Sequence, residues 1–103
     1  MAKLIPKGST IVSFIYKFSN DLDGYEVMDK LTIKEVKKNK GYLGHEVFKD
    51  LDRNIFLSYW KDGNSIKDWK NNNIHKLAKK EGTKWYEYFN LQISELKNDY
   101  YLL

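Results

Sequence analysis

The sequence predicts an α+β domain of ferredoxin-like topology, β-α-β-β-α-β, with a four-stranded antiparallel sheet and both helical layers on one face. Three observations predict it. Four stretches alternate residue by residue, the period of strands, and two stretches between them repeat every three to four residues, the period of helices. The second and third strand stretches are separated by Asp50-Leu51-Asp52-Arg53, a turn that makes them an antiparallel hairpin. The chain has 103 residues, the size of one domain with one modest core.

Residues 1–8 read as a lead-in broken by Pro6 and Gly8. Strand one is expected from Thr10 to Phe18, with Val12, Phe14, Tyr16 and Phe18 on one face and Ile11, Ser13, Ile15 and Lys17 on the other. A turn follows over residues 20–24. Asp23 with Glu26 three residues on is a capping-box pattern, and Leu22 with Val27 fits a hydrophobic staple. Helix one then runs to about Lys38, its buried stripe formed by Tyr25, Met28, Leu31, Thr32 and Val36. Strand two is expected from Tyr42 to Lys49, with Leu43, His45 and Val47 on one face and Tyr42, Gly44, Glu46 and Phe48 on the other. Strand three spans Asn54 to Trp60.

Asp62 is placed to cap the next helix, which carries Ile66 and Trp69 on one face. Trp60 and Trp69 therefore fall at one strand–helix corner. Asn71-Asn72-Asn73 is poor helix material and predicts a break. A second helical piece with Ile74, Leu77 and Ala78 ends near Gly82. Strand four runs from about Lys84 to Leu96, with Trp85, Glu87, Phe89, Leu91 and Ile93 alternating against Tyr86, Tyr88, Asn90, Gln92 and Ser94. Asn98 to Leu103 form a tail with an apolar end.

Composition narrows the function classes. Aromatic residues make up 16% of the chain, so many rings must line a core, an interface or a pocket. There is no cysteine, which excludes disulfides and thiolate metal sites. His45 and His75 show no ligand spacing with carboxylates, so no zinc site is expected. No apolar run reaches the roughly 20 residues of a membrane span, and the first residues do not form a signal peptide, so the expected location is the cytoplasm. The net charge of +4 is mild, and the group Lys34, Lys37, Lys38 and Lys40 reads as a solvated helix end. An RNA-recognition module shares the element order, but strand three lacks its glycine-containing stacking signature, so no nucleic acid is expected as a partner.

Five segments carry a family resemblance: Gly41 to Asp50 (Gly-Tyr-Leu-Gly-His-Glu-Val-Phe-Lys-Asp), Ser58-Tyr59-Trp60-Lys61, Ile66-Lys67-Asp68-Trp69, His75, and Trp85-Tyr86. Together they resemble the antibiotic biosynthesis monooxygenase family, its small stand-alone bacterial members above all, over about residues 10–97. The resemblance implies a dimeric α+β barrel in which two sheets face each other and each subunit holds a pocket between its sheet and helices. It implies oxygenation of aromatic or quinol-like compounds without flavin or metal. A haem-degrading branch of the family uses a strand-one Asn, a helix-two Trp and an axial His. Here Trp69 matches, but Tyr16 and Lys79 stand at the other two positions, so haem is not an expected cofactor.

Two residues are candidate catalytic groups. Trp69 offers an indole to stack on a planar substrate, and His75 offers a near-neutral base for a phenol or hydroquinone. Phe14, Tyr16, Trp60, Trp69 and Tyr86 are the candidate substrate-binding residues. Each has a plain alternative: Trp69 and Trp60 as core, His75 as a capping or carbonyl-bonding side chain, the tyrosines as interface. Large apolar residues occur on both faces of strands one, three and four, and two helices can cover only one. A second copy is therefore expected on the uncovered face, giving an isologous homodimer. The competing functional expectation is a non-catalytic small-molecule-binding barrel or stress-related protein.

Overall fold

A computed structural model describes residues 5–101. Residues 1–4 of the lead-in, and Leu102 and Leu103 of the apolar tail end, lie outside the described residues. The elements are β1 (Thr10–Phe18), α1 (Tyr25–Val36), β2 (Tyr42–Lys49), β3 (Asn54–Trp60), α2 (Gly63–Lys70), α3 (Asn73–Glu81) and β4 (Tyr86–Glu95). They form the expected α+β ferredoxin-like arrangement, one antiparallel sheet in the order β2-β3-β1-β4. β1, β2 and β3 occupy the spans their alternation predicts.

Helix starts show how local chemistry fixes the layer. Asp62 caps α2, its Oδ1 accepting from the Ser65 amide and hydroxyl, each at 2.9 Å. The asparagine run does break the helical segment, and it also starts the next piece. The Asn72 side chain accepts from the amides of Ile74 (2.8 Å) and His75 (3.2 Å), capping α3. α1 departs from expectation. Its N-cap is Gly24 at φ 80°, and the Asp23 side chain makes no cap bond. The chain enters α1 through a left-handed residue that glycine adopts without strain, and the Asp23 carbonyl instead accepts from Trp85 Nε1 at 2.8 Å. The staple does not bury its partners either: Val27 is 75% exposed. Leu31, expected in the buried stripe, is also exposed, while Val36 is buried.

Gly41 locks α2 to the start of β2. A Cβ there would fall 1.7 Å from Ser65 Oγ, so only glycine permits this approach. Asn39 spans the seam, donating to the Ser65 carbonyl at 3.0 Å and accepting from the Gly41 amide at 2.8 Å.

Both edge strands carry a bulge that changes which side chains share a face. In β2, Tyr42 stands opposite Trp60 and Gly44 opposite Tyr59, so the register shifts between Tyr42 and Gly44. Gly44 takes φ 135°, a backbone state open chiefly to glycine. Tyr42 thereby joins His45 and Val47 on the helix-facing side, against the strict alternation expected. In β4, Lys17 opposes Tyr88 and Phe18 opposes Tyr86, which skips Glu87. Tyr86 is turned to the side of Phe89, Leu91 and Ile93. β4 also starts at Tyr86, because a 3-10 turn occupies Gly82–Lys84 and leaves Trp85 buried ahead of the strand.

Deep burial is sparse. Among the described residues, the deeply buried apolar side chains are Tyr16, Val36, Trp60 and Trp85. Helix-facing Phe89, Leu91 and Ile93 of β4 stay 53–61% exposed, so the helices cover the sheet unevenly. No helix among the described residues is long and apolar enough to cross a membrane.

Candidate functional site

Strand register places Val47, Phe56, Phe14 and Leu91 in one row across the helix-facing side, one residue from each strand. Val47 and Leu91, at the ends of the row, are 43% and 53% exposed. The row is an apolar floor that opens at both edges of the sheet. Two chains of ring contacts meet on it. One runs from Tyr25 of α1 to Phe18 (4.9 Å), Tyr16 (5.1 Å) and Phe14 (5.1 Å), with Tyr86 and Phe89 against Phe14 at 5.2 and 5.5 Å. The other runs from His75 through Trp69, Trp60, Tyr42 and His45 to Phe56.

The predicted site residues therefore fall into two groups. Phe14, Tyr16 and Tyr86 stand together on or beside the floor. Trp60, Trp69 and His75 stack at the far end of the second chain. His75 lies flat on Trp69, 4.9 Å away and 5° from parallel, and its Nδ1 is 3.1 Å from the Trp69 carbonyl. Burial lowers the His75 pKa, against a rise from that carbonyl bond. Trp60 is 3% exposed and donates its Nε1–H to Ser58 Oγ at 2.9 Å.

Three residues beside the floor escaped the sequence reading: Tyr25, Asp29 and His45 as members of one site. Asp29 sits one helical turn after Tyr25, on the same side of α1. The residue keeps exposed surface, yet partial burial of its carboxyl raises the pKa, opposed by the positive influence of His45 and Lys49. The same carboxylate acts on Tyr16, Tyr25 and Tyr86. Burial and then Asp29 raise the pKa of Tyr16 and of Tyr25, and burial, Tyr16 and Asp29 push Tyr86 up to about 12. These phenols are protonated donors at neutral pH. His45 stacks on Phe56 at 4.8 Å and 16°, and its Nδ1 is hydrogen-bonded to the Tyr42 hydroxyl. Burial lowers its pKa, as does Lys37, while Asp29 raises it. A polar residue within the inward stripe of α1 was the available signal for Asp29. His45 and Tyr42 needed the bulge.

A cleft of about 260 Å3 lies elsewhere, between the start of α1, α3 and Trp85, bordered by Asp23, Met28, Leu77, Glu81 and Lys84. None of the predicted site residues lines it. Among the described residues no group of three or more His, Cys, Asp or Glu side chains is placed to hold a metal ion.

The arrangement defines a class: a ferredoxin-like α+β protein with aromatic rings, tyrosines among them, gathered on the helix-facing side of its sheet. No protein-family model matches the chain, and no curated protein matches it in sequence. Solved structures do. SnoaB, a cofactor-independent oxygenase from Streptomyces nogalater, superposes with a TM-score of 0.72 at 8% identity, covering 91% of this chain and 97% of its own. A Nitrosomonas europaea protein described as a candidate antibiotic biosynthesis monooxygenase gives 0.73 at 11% identity, covering 89% and 94%. A conserved protein from Methanosarcina mazei gives 0.77 at 17% identity, covering 87% and 94%. The chain has the fold of the antibiotic biosynthesis monooxygenases.

Proposed function

We propose that the protein is a cofactor-independent monooxygenase acting on a small aromatic or quinol-like compound held between the sheet and α1. The observation that carries this reading is the partly exposed Phe14–Phe56 floor with tyrosine hydroxyls, Asp29 and His45 around it, on a fold shared with an oxygenase of that type. A planar ring stacks on the floor, and protonated tyrosines donate to its oxygens. Deprotonation of a ring hydroxyl makes the substrate electron-rich enough to reduce dioxygen. One oxygen atom enters the ring and the other leaves as water, all electrons coming from the substrate. The protein contributes binding, proton removal and exclusion of bulk water. Trp69 and His75 support Trp60 from behind. The working unit is a homodimer joined through the uncovered sheet face.

Oxygen uptake with simple hydroquinones tests the reading. Turnover is expected, with Phe14→Ala and Tyr86→Phe losing much of it and Trp69→Phe losing little. Stabilisation by hydroquinone without oxygen uptake would favour a binding protein over an enzyme. Neither turnover nor stabilisation would remove the reading.

A further inference from the structure

We propose that His45 is the proton acceptor for a phenolic hydroxyl bound over Phe14 and Phe56, with Tyr42 anchoring its ring and the Asp29 carboxylate of α1 supplying a compensating negative charge. Residues three apart on a regular strand point to opposite faces. The irregularity at Leu43 and Gly44 puts Tyr42 and His45 on one side, and the Tyr42 hydroxyl binds His45 Nδ1. Stacking on Phe56 holds the ring over the floor. His45 is thus fixed by two contacts, and its Nε2 makes no hydrogen bond among the described residues. In the tautomer whose Nδ1–H is donated to the Tyr42 oxygen, the Nε2 lone pair is the free base, and it is this form that the proposal uses. His75, by contrast, faces Trp69 and the Trp69 carbonyl.

Asp29 of α1 is electrostatically coupled to His45, yet no ion pair within 4.0 Å joins them among the described residues. In the step, the ligand O–H bond breaks, its proton goes to Nε2, and the electron pair stays on the phenolate oxygen. The Asp29 carboxylate favours the imidazolium so formed, and Lys37 and Lys49 are the other charges that act on this pair. The ligand class is a neutral phenol or dihydroxy-aromatic. Tyr42 is a positioning residue.

This assignment rests on the ligand site of the proposed function but not on oxygen chemistry, so the test removes oxygen. The probe is 4-nitrophenol in nitrogen-saturated buffer, whose phenolate has its own visible band. The wild-type protein is expected to bind it and to show the phenolate band at a pH where the free probe is mostly neutral. His45→Phe, which keeps a ring on Phe56, should still bind the probe but lose the band. His45→Gln should do the same and guards against misfolding of the first variant. Tyr42→Phe should shift the pH midpoint of the band, and His75→Ala should leave it in place. A band that survives in both folded His45 variants, or that vanishes in folded His75→Ala, overturns the assignment. Absence of binding by the wild type overturns the assignment and the ligand site together. Ionisation through His45 with no oxygen uptake on hydroquinone upholds the assignment and removes the monooxygenase reading.

Discussion

Asp29 is where stability and the proposed chemistry pull in opposite directions. Its carboxyl sits in a setting that disfavours charge, and burial raises its folded-state pKa above the ordinary 3.8. The protonated form therefore favours the fold. This stabilisation is present below the unfolded value and is lost as pH rises through the folded one. Asp29→Asn cannot ionise. It is expected to raise Tm at neutral pH, with a stability gain of less than about 1 kcal/mol given the solvent exposure of the residue, and the gain should disappear in acid. The same variant should weaken phenol ionisation. Thermal melts of both proteins across the acid range check the sign; a variant less stable than wild type at neutral pH contradicts it. Such residues are hard to find from sequence. Asp29 lies between positions that read as an apolar stripe, and the pattern treats it as an interruption rather than as a group electrostatically coupled to His45.

At the scale of elements, the spans of β1, β2 and β3, the cap at Asp62 and the break at the asparagines were legible, because period and capping act through neighbours in sequence. Strict alternation failed at Tyr42 and Tyr86, since one skipped residue inverts the side of everything beyond it. Gly44 inside a strand was the local sign of the first bulge. Nothing comparable marks the second, which depends on how β1 and β4 pair. The cap of α1 differs from the capping-box pattern because the chain enters the helix through Gly24 in a left-handed state, which leaves Asp23 outside the N-cap position. Gly44→Ala tests the functional weight of the first bulge. An alanine at φ 135° is strained and should cost about 1–3 kcal/mol. Relief by flattening the strand would move Tyr42 away from His45. The expected result is a lower Tm together with a shifted His45 imidazole resonance in NMR. A lower Tm with an unchanged resonance would mean that the bulge persists without glycine.

For the whole molecule, the deciding fact is how little apolar surface one chain buries. The uncovered face presents Ile11 and Ile15 of β1, Ile55, Leu57 and Tyr59 of β3, Phe48 of β2 and Tyr88 of β4. Phe48 is 53% exposed and Tyr88 39% exposed, and the five between them are partly so. A continuous apolar face of this kind is costly in water, and a second copy is expected to cover it in an isologous dimer. Its charged members are partly accounted for within the chain, Glu46 accepting from the Tyr59 hydroxyl at 2.6 Å and Lys17 lying 3.5 Å from Glu87. Leu57 occupies the middle of β3, opposite Ser13 and Glu46, away from every residue assigned to the ligand site. Leu57→Glu would place an unpaired charge at the centre of the joined sheets, a penalty large enough to separate them. Sedimentation at micromolar concentration is expected to give twice the chain mass for the wild type and the single mass for the variant. Because the floor residues lie on the other side of the sheet, the separated variant should still bind 4-nitrophenol if it stays folded. A wild type that sediments as one chain, with this face bare, would show that the fold reaches stability without a twin.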